Sequence, residues 1–216
     1  MHASWPELDT TCEEQLASGC ARLGLELPAD TRARLLDYLQ MMVKWNRAYN
    51  LTAVRDPEQM VTRHLLDSLA IAPYLRGQRL LDVGTGGGLP GVPMAIVFPQ
   101  REFHLLDSNG KKTRFLFQVK TALGLANMTV HQARVESFQS DAPFDAVLSR
   151  AFASLADMVS GCRHLLADTG HFFAMKGAYP EAELAAIAEL CSVEAIHRLQ
   201  VPGLDEQRHL VDMTLR

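Results

Sequence analysis

Leu80-Leu81-Asp82-Val83-Gly84-Thr85-Gly86-Gly87-Gly88-Leu89 joins a short apolar run to a glycine-rich turn, with an acid two residues before the first glycine. Gly84 and Gly86 let the backbone take a positive φ or approach a ligand closely. Such a turn between a strand and a helix can hold a nucleotide-like cofactor, although a plain strand-to-helix turn has the same composition. The loop separates two cofactor classes. A dinucleotide site wants G-x-G-x-x-G with helix amides aimed at a pyrophosphate. Here Leu89 stands at the third glycine position, and Pro90 and Pro93 remove two N–H donors from the first turns. That pattern suits S-adenosyl-L-methionine, which has no phosphate and presents a sulfonium, an amino-acid end and a ribose diol.

Other polar residues fall where later runs end. Asp107, in His104-Leu105-Leu106-Asp107-Ser108, has two carboxylate oxygens for the two ribose hydroxyls. In Arg134-Val135-Glu136 a backbone N–H and a carboxylate are placed to flank an adenine. Arg150, in Ser149-Arg150-Ala151, stands beside the expected methyl-transfer position, and Lys176 ends the fifth run as a phosphate contact or simply an exposed end. Each alone reads as a solvated loop charge; jointly, at successive strand ends, they favour one site. The cofactor contacts expected from position are Asp82, Gly84, Gly86, Asp107, Val135, Glu136 and Arg150.

Absences narrow the acceptor. Methylation of pyrimidine C5 usually needs a cysteine nucleophile, and none of Cys12, Cys20, Cys162 or Cys191 falls at an expected strand end. Exocyclic amines are commonly methylated with an Asn or Asp followed by Pro-Pro and an aromatic, whereas this chain has Ser149-Arg150-Ala151-Phe152. Guanine N7 carries a free lone pair on the major-groove edge. It needs no deprotonation, so positioning would supply the rate.

The elements that must hold these residues are legible from periodicity. Leu35, Leu36, Leu39, Met42 and Val43 recur at helical spacing after Pro28 and Asp30, the latter an expected N-cap. A loop is expected over 46–54, and a second helix from Asp56-Pro57. Apolar runs at 79–83, 102–106, 128–131, 144–148 and 171–175 alternate with helical stretches at 89–97, 111–123 and 155–166 and a short turn at 135–138. This alternation predicts a doubly wound, mostly parallel α/β sheet. Runs at 193–201 and 208–215, with no helix between them, predict an antiparallel pair closing one edge. The organisation expected is a helical N-terminal extension, 1–76, contacting RNA and packed on the core, and a cofactor-binding domain, 77–216.

Of 216 residues, 48% are hydrophobic and 21% charged, values of a packed globular chain. A net charge of −4 leaves no generic basic surface for nucleic acid, so any RNA footprint must be local. Lys44, Arg47, Arg55, Arg63, Arg76 and Arg79, and the acid-free cluster Lys111, Lys112, Arg114 and Lys120, are the candidates; solvated helix faces are the plainer reading. Four scattered thiols without C-x-x-C, no membrane-length apolar segment and no basic-apolar N-terminus point to a reduced, cytoplasmic protein.

Lys44-Trp45-Asn46 with Tyr49-Asn50-Leu51-Thr52, Arg63-His64 with Asp67-Ser68, 82–91, 105–108 with Lys111-Lys112, Ser149-Arg150-Ala151, Lys176-Gly177 and Arg208-His209-Leu210-Val211 occur in one order along nearly the whole chain. In these segments the sequence resembles the bacterial small-subunit rRNA guanine-N7 methyltransferase G family, also called glucose-inhibited division protein B. The resemblance implies a class I S-adenosylmethionine-dependent fold with a seven-stranded sheet. It also implies methyl transfer to N7 of guanine 527 of 16S rRNA, giving S-adenosylhomocysteine. It carries cofactor roles to Gly84, Leu89, Val135, Glu136 and Arg150. Arg150, Arg63 and Lys176 are the expected catalytic residues, and Lys44, Asn46, Arg63, His64, Lys111, Lys112, Lys176 and Arg208 the expected RNA contacts. No metal is expected. The expected partner is 16S rRNA or an assembling small-subunit particle, without membrane or DNA, for a monomer. Two departures stand out: Gly87 where relatives often have Ala or Pro, and Gln207 where many have Glu, which puts a role for an acid there in doubt. The rivals are an NAD-linked oxidoreductase, disfavoured by Leu89, Pro90 and Pro93, and a noncatalytic RNA-binding module.

Overall fold

The computed structural model describes Leu8 and residues 10–216. Apolar stripes at helical spacing build the first third. α1 (Thr10–Arg22) buries Cys12, Leu16 and Cys20, and α2 (Ala29–Tyr49) buries Leu35, Tyr38, Leu39 and Met42. Asp30 does not cap α2. Pro28 occupies that position without a side-chain bond, and Asp30 lies in the first turn, where its charge favours the helix dipole. The helix also runs through Tyr49 and stops at Asn50, whose φ of 49° is left-handed, so the expected loop is shorter than 46–54.

α3 (Pro57–Met60) starts as expected, with Asp56 Oδ1 accepting the Glu58 N–H and proline in the first turn. It continues into a π-helical turn, Val61–Leu66, and then α4 (Asp67–Leu69). The wider turn changes the angular spacing of the side chains. Arg63, His64 and Asp67 all reach the wall of one cavity.

From β1 (Arg79–Val83) the chain alternates through α5 (Gly91–Val97), β2 (Glu102–Asp107), α6 (Gly110–Leu123), β3 (Met128–Gln132), β4 (Phe144–Ser149), α7 (Leu155–Cys162), β5 (Leu166–Lys176), α8 (Glu181–Ile187), β6 (Cys191–Leu199) and β7 (Arg208–Leu215). The seven strands form one sheet in the order β3-β2-β1-β4-β5-β7-β6. Pairings from β3 to β5 are parallel, and β7 runs antiparallel to both β5 and β6. The architecture is the one expected. Locally, α7 ends at Cys162 rather than 166, β5 begins at Leu166 rather than 171, and α8 was not expected at all.

Alternating residues of each strand feed two cores. Leu80, Phe103, Leu105 and Leu148 pack with α1, α2, α5, α6 and the 57–75 segment; Leu81, Leu106, Val147 and Phe172 pack with α7 and Ile187 of α8. The N-terminal helices thus share a core with one face of the sheet. The four cysteines are buried and free.

Candidate active site

β2 and β3 lie on one side of β1 and β4 on the other, so the winding reverses between β1 and β4, where open α/β sheets hold ligands. The strand ends are tied there. Ser149 Oγ donates to Val83 O at 2.8 Å and accepts the Ala151 N–H at 3.0 Å.

Three cavities with shared walls follow the carboxyl ends of the strands. The first, about 230 Å³, is lined by Gly84, Asp107, Val135 and Glu136 among others. The second, about 170 Å³, lies over the glycine loop between Gly84, Gly86, Leu89, His64 and Arg150. The third, about 360 Å³, is bounded by Arg63, His64, Asp67, Arg150, Lys176 and Arg208. Gly84 and Ala151 wall the first two, and Thr52, His64 and Arg150 wall the last two. The three cavities adjoin in one trough, with Arg150 at the joint, or elbow, between the last two.

Gly84 has φ of 65°, and a Cβ there would lie 2.6 Å from Ala151 Cβ. Gly86, at φ 60°, donates its N–H to Asp107 Oδ2 at 2.8 Å. Asp107 Oδ1 accepts the Asn109 N–H at 2.9 Å, leaving each oxygen a lone pair toward the cavity. The amides of Gly84, Thr85, Gly86, Gly88, Leu89 and Gly91 all donate to acceptors within this chain. No row of free amides remains for a pyrophosphate, which removes the dinucleotide reading on geometry as well as sequence.

Asp82, expected to touch the cofactor, lines none of the three cavities. Its Oδ2 accepts the Thr85 hydroxyl at 2.6 Å and the Gly91 N–H at 2.8 Å, so it shapes the loop from beneath. Burial pushes its carboxyl up to about 7. Tyr38 braces the same loop from α2, donating its buried hydroxyl to Gly87 O at 2.6 Å.

Around the third cavity the cations are held by acids. Arg150 Nη1 donates to Asp67 Oδ2 at 3.2 Å, and Arg208 Nε to Asp67 Oδ1 at 3.1 Å. Arg208 Nη2 also reaches Glu206 Oε2 at 3.1 Å, and Arg63 grips both Glu206 oxygens at 2.7 and 3.1 Å. Asp67 is buried; burial raises its carboxyl above the usual range, and the two arginines pull it back. His64 Nε2 is 2.9 Å from Thr52 Oγ1, its Nδ1 has no partner, and burial lowers its imidazole to about 4.

Three expected RNA contacts are engaged within the protein. Asn46 is buried, accepting the Thr52 N–H at 2.9 Å and donating to Val54 O, so it pins the loop after α2. His64 is buried beside Thr52. Lys176 spends its three N–H donors on Glu183 Oε1 and the carbonyls of Phe152 and Ala153, which ties β5 to the loop after β4. Lys44 lies on α2 and lines none of the three cavities. Lys111 and Lys112 stand in the first turn of α6, and Lys112 Nζ is 4.0 Å from where a Gly86 Cβ would be. Asp67, Glu206, Thr52 and Tyr38 were not anticipated at the site. The only signals were the Asp67-Ser68 and Thr52 positions in the resembling segments and an acid, Glu206, one place before Gln207.

Residues 31–211 match the family described as rRNA small subunit methyltransferase G. The protein named ribosomal RNA small subunit methyltransferase G from Pseudomonas aeruginosa (strain LESB58) is 56% identical over 199 residues, 92% of this chain and 93% of that one. Its namesake from Escherichia coli O1:K1 / APEC is 55% identical over 188 residues, 87% and 91% of the two chains. Among solved structures, the glycopeptide N-methyltransferase MtfA complexed with S-adenosyl-L-methionine matches with a TM-score of 0.61 at 12% identity, covering 71% of this chain and 87% of that chain. The ribosomal protein L11 methylase from Lactobacillus delbrueckii subsp. bulgaricus matches with a TM-score of 0.54 at 15% identity, over 70% and 77%. These two place the sheet and its helices in the class I methyltransferase fold.

Proposed function

The chain belongs to the rRNA small subunit methyltransferase G family, and from that premise we propose that it transfers the methyl group of S-adenosyl-L-methionine to N7 of a guanine in 16S rRNA, nucleotide 527. The observation that carries the reading is the trough itself, a cavity over a glycine loop with no row of free amides for phosphate, meeting an arginine-lined cavity at Arg150. When bound, S-adenosyl-L-methionine supplies an electrophilic methyl group on a cationic sulfur. The donor set fits it. Asp107 offers lone pairs to a ribose diol, Val135 and Glu136 wall the far end, and the glycine at 84 leaves space that a side chain would close.

Guanine N7 needs no base, because its lone pair forms the new N–CH3 bond while the S–CH3 pair returns to sulfur. His64, neutral at pH 7, can neither protonate N7 nor add a charge. The base becomes cationic as the sulfonium becomes neutral. Bare arginines around it would oppose that change, whereas Asp67 and Glu206 pair with Arg63, Arg150 and Arg208 and offset two of their three charges. Arg150 retains N–H groups beyond the one given to Asp67, and a fixed guanidinium fork suits guanine O6 or a phosphate.

Arg63, Arg208, Lys111 and Lys112 supply the RNA contacts in this reading. The protein acts as a monomer in the cytoplasm, on 16S rRNA or an assembling small-subunit particle. Among the described residues no helix is long and apolar enough to cross a membrane. The test is tritium transfer from labelled cofactor to 16S rRNA and to small subunits from a deletion strain, with N7-methylguanine mapped by chain cleavage. Label confined to nucleotide 527 supports the assignment; label at another atom or nucleotide overturns it.

A further inference from the structure

The arginines of the third cavity are paired with acids, but the cations of α6 are not. Lys111, Lys112, Arg114 and Lys120 make no side-chain hydrogen bond or ion pair with any described residue, and the helix sequence GKKTRFLFQVKTAL contains no acid. In a chain of net charge −4, a whole helix face without a compensating carboxylate is an electrostatic anomaly. On the same face Phe117 leaves 49% of its surface in water, one of the few large apolar side chains to do so. Lys111, Arg114 and Phe117 line a groove of about 720 Å³ whose other walls are Tyr49, at the end of α2, and Asn109 and Gln132. Trp45 stacks on Tyr49 at 5.1 Å and holds that wall in place. Asn109 and Gln132 follow or end β2 and β3, so the groove opens on the same side of the sheet as the cofactor cavity, beside Asp107 and Ser108.

We propose that this groove holds a single-stranded stretch of the substrate RNA flanking the methylated guanosine, with Phe117 stacking on an unpaired base and Lys111 and Arg114 contacting its phosphates. The proposal rests on the rRNA-methyltransferase reading above. Unpaired cations attract the backbone, and an exposed aromatic gives a sequence-tolerant platform that a base-paired helix cannot use. An acidic protein surface would be drawn by the charges alone and would not require the ring; an anionic membrane would take the ring as an anchor without regard to its planarity.

The full chain is titrated with protein-free 16S rRNA transcript, and cofactor binding is followed separately by calorimetry. Phe117→Leu keeps an apolar residue but removes the platform, and should weaken rRNA binding by roughly five- to a hundredfold. Phe117→Trp should restore it, with quenching of the added indole's emission on RNA addition. Arg114→Gln should lower the log–log salt slope by roughly 0.7. All three should bind the cofactor as the unaltered protein does. If Phe117→Leu and Arg114→Gln bind rRNA normally while the unaltered protein methylates it, the groove is not an RNA site and the family reading stands. If the unaltered protein neither binds nor methylates 16S rRNA, free or within small subunits from a deletion strain, the rRNA-methyltransferase reading fails. If the variants lose binding only to phosphatidylglycerol vesicles, the occupant is a membrane and the proposal is overturned.

Discussion

Two groups of cations flank the trough, and they are built on opposite principles. Arg150, Arg208 and Arg63 are fixed by Asp67 and Glu206, and apart from the local Arg208–Glu206 pair these contacts join segments 83 to 143 residues apart along the chain. The cations of α6 stand on one helix, free of acids, over water. Pairing costs attraction, since a neutralised arginine draws RNA weakly, but it defines direction. Leaving charges unpaired does the reverse, giving long-range pull without geometry. The molecule therefore places aim at the methyl-transfer elbow and attraction at the periphery.

Removing the shared acid should break the contrast most severely. Asp67→Ala releases Arg150, leaves Arg208 to Glu206 alone among the acids, and should lower single-turnover methyl transfer by on the order of a hundredfold. Urea unfolding should show a stability loss of about 1–3 kcal/mol, held down because burial already costs the carboxylate much of what the arginines return. A large fall in stability with normal turnover would mean that Asp67 only holds the fold.

On the other side, Lys111→Ala with Lys112→Ala should raise the rRNA concentration needed for half-maximal rate and flatten its salt dependence by roughly 0.7 to 0.9 per lost phosphate contact. If turnover at saturating rRNA collapses instead, α6 contributes geometry and the division of labour is wrong.

A third comparison uses pH. The imidazole of His64 is held near 4 by burial, against 6.5 in the unfolded chain, so acid favours unfolding. Its share of stability is fully present above about 6.5 and is lost as pH falls toward about 4. His104 and His131, also lowered by burial, act in the same direction. His64→Gln should flatten part of the decline in unfolding midpoint over that window; an unchanged pH profile would show that His64 is not buried as described. The smallest effect belongs to Glu206→Gln. The exposed partner of Arg63 should leave the unfolding midpoint in place, tighten rRNA binding slightly and steepen its salt dependence. Weaker binding would assign Glu206 a contact of its own.

The sequence exposed one of these regions far better than the other. The strands were readable because short apolar runs ended at Asp82-Val83-Gly84, Asp107-Ser108 and Ser149-Arg150, which also placed Asp107, Gly84 and Arg150 at carboxyl ends. The first half of β5 is hidden because Ala167-Asp168-Thr169-Gly170 has the composition of a turn, and α8 leaves no apolar stripe because only Ile187 of Glu181–Ile187 is fully buried. The acids were hidden for a different reason. Asp67 and Glu206 have no periodic signature, and their partners are chosen by tertiary packing around a π-helical turn that no local pattern announces. Asn46 and Lys176 show the converse: polar residues in a resembling segment look like ligand contacts, yet the fold uses them to tie loops.

Arg150 joins the two cavities, and single-turnover methyl transfer by Arg150→Lys, at saturating cofactor and 16S rRNA, tests its role most directly because binding defects drop out. If the guanidinium acts through its fork between Asp67 and the base, the lysine variant should fall nearly as far as Arg150→Ala although the charge survives. A lysine variant that keeps the full rate would contradict the account and reduce Arg150 to a positive charge.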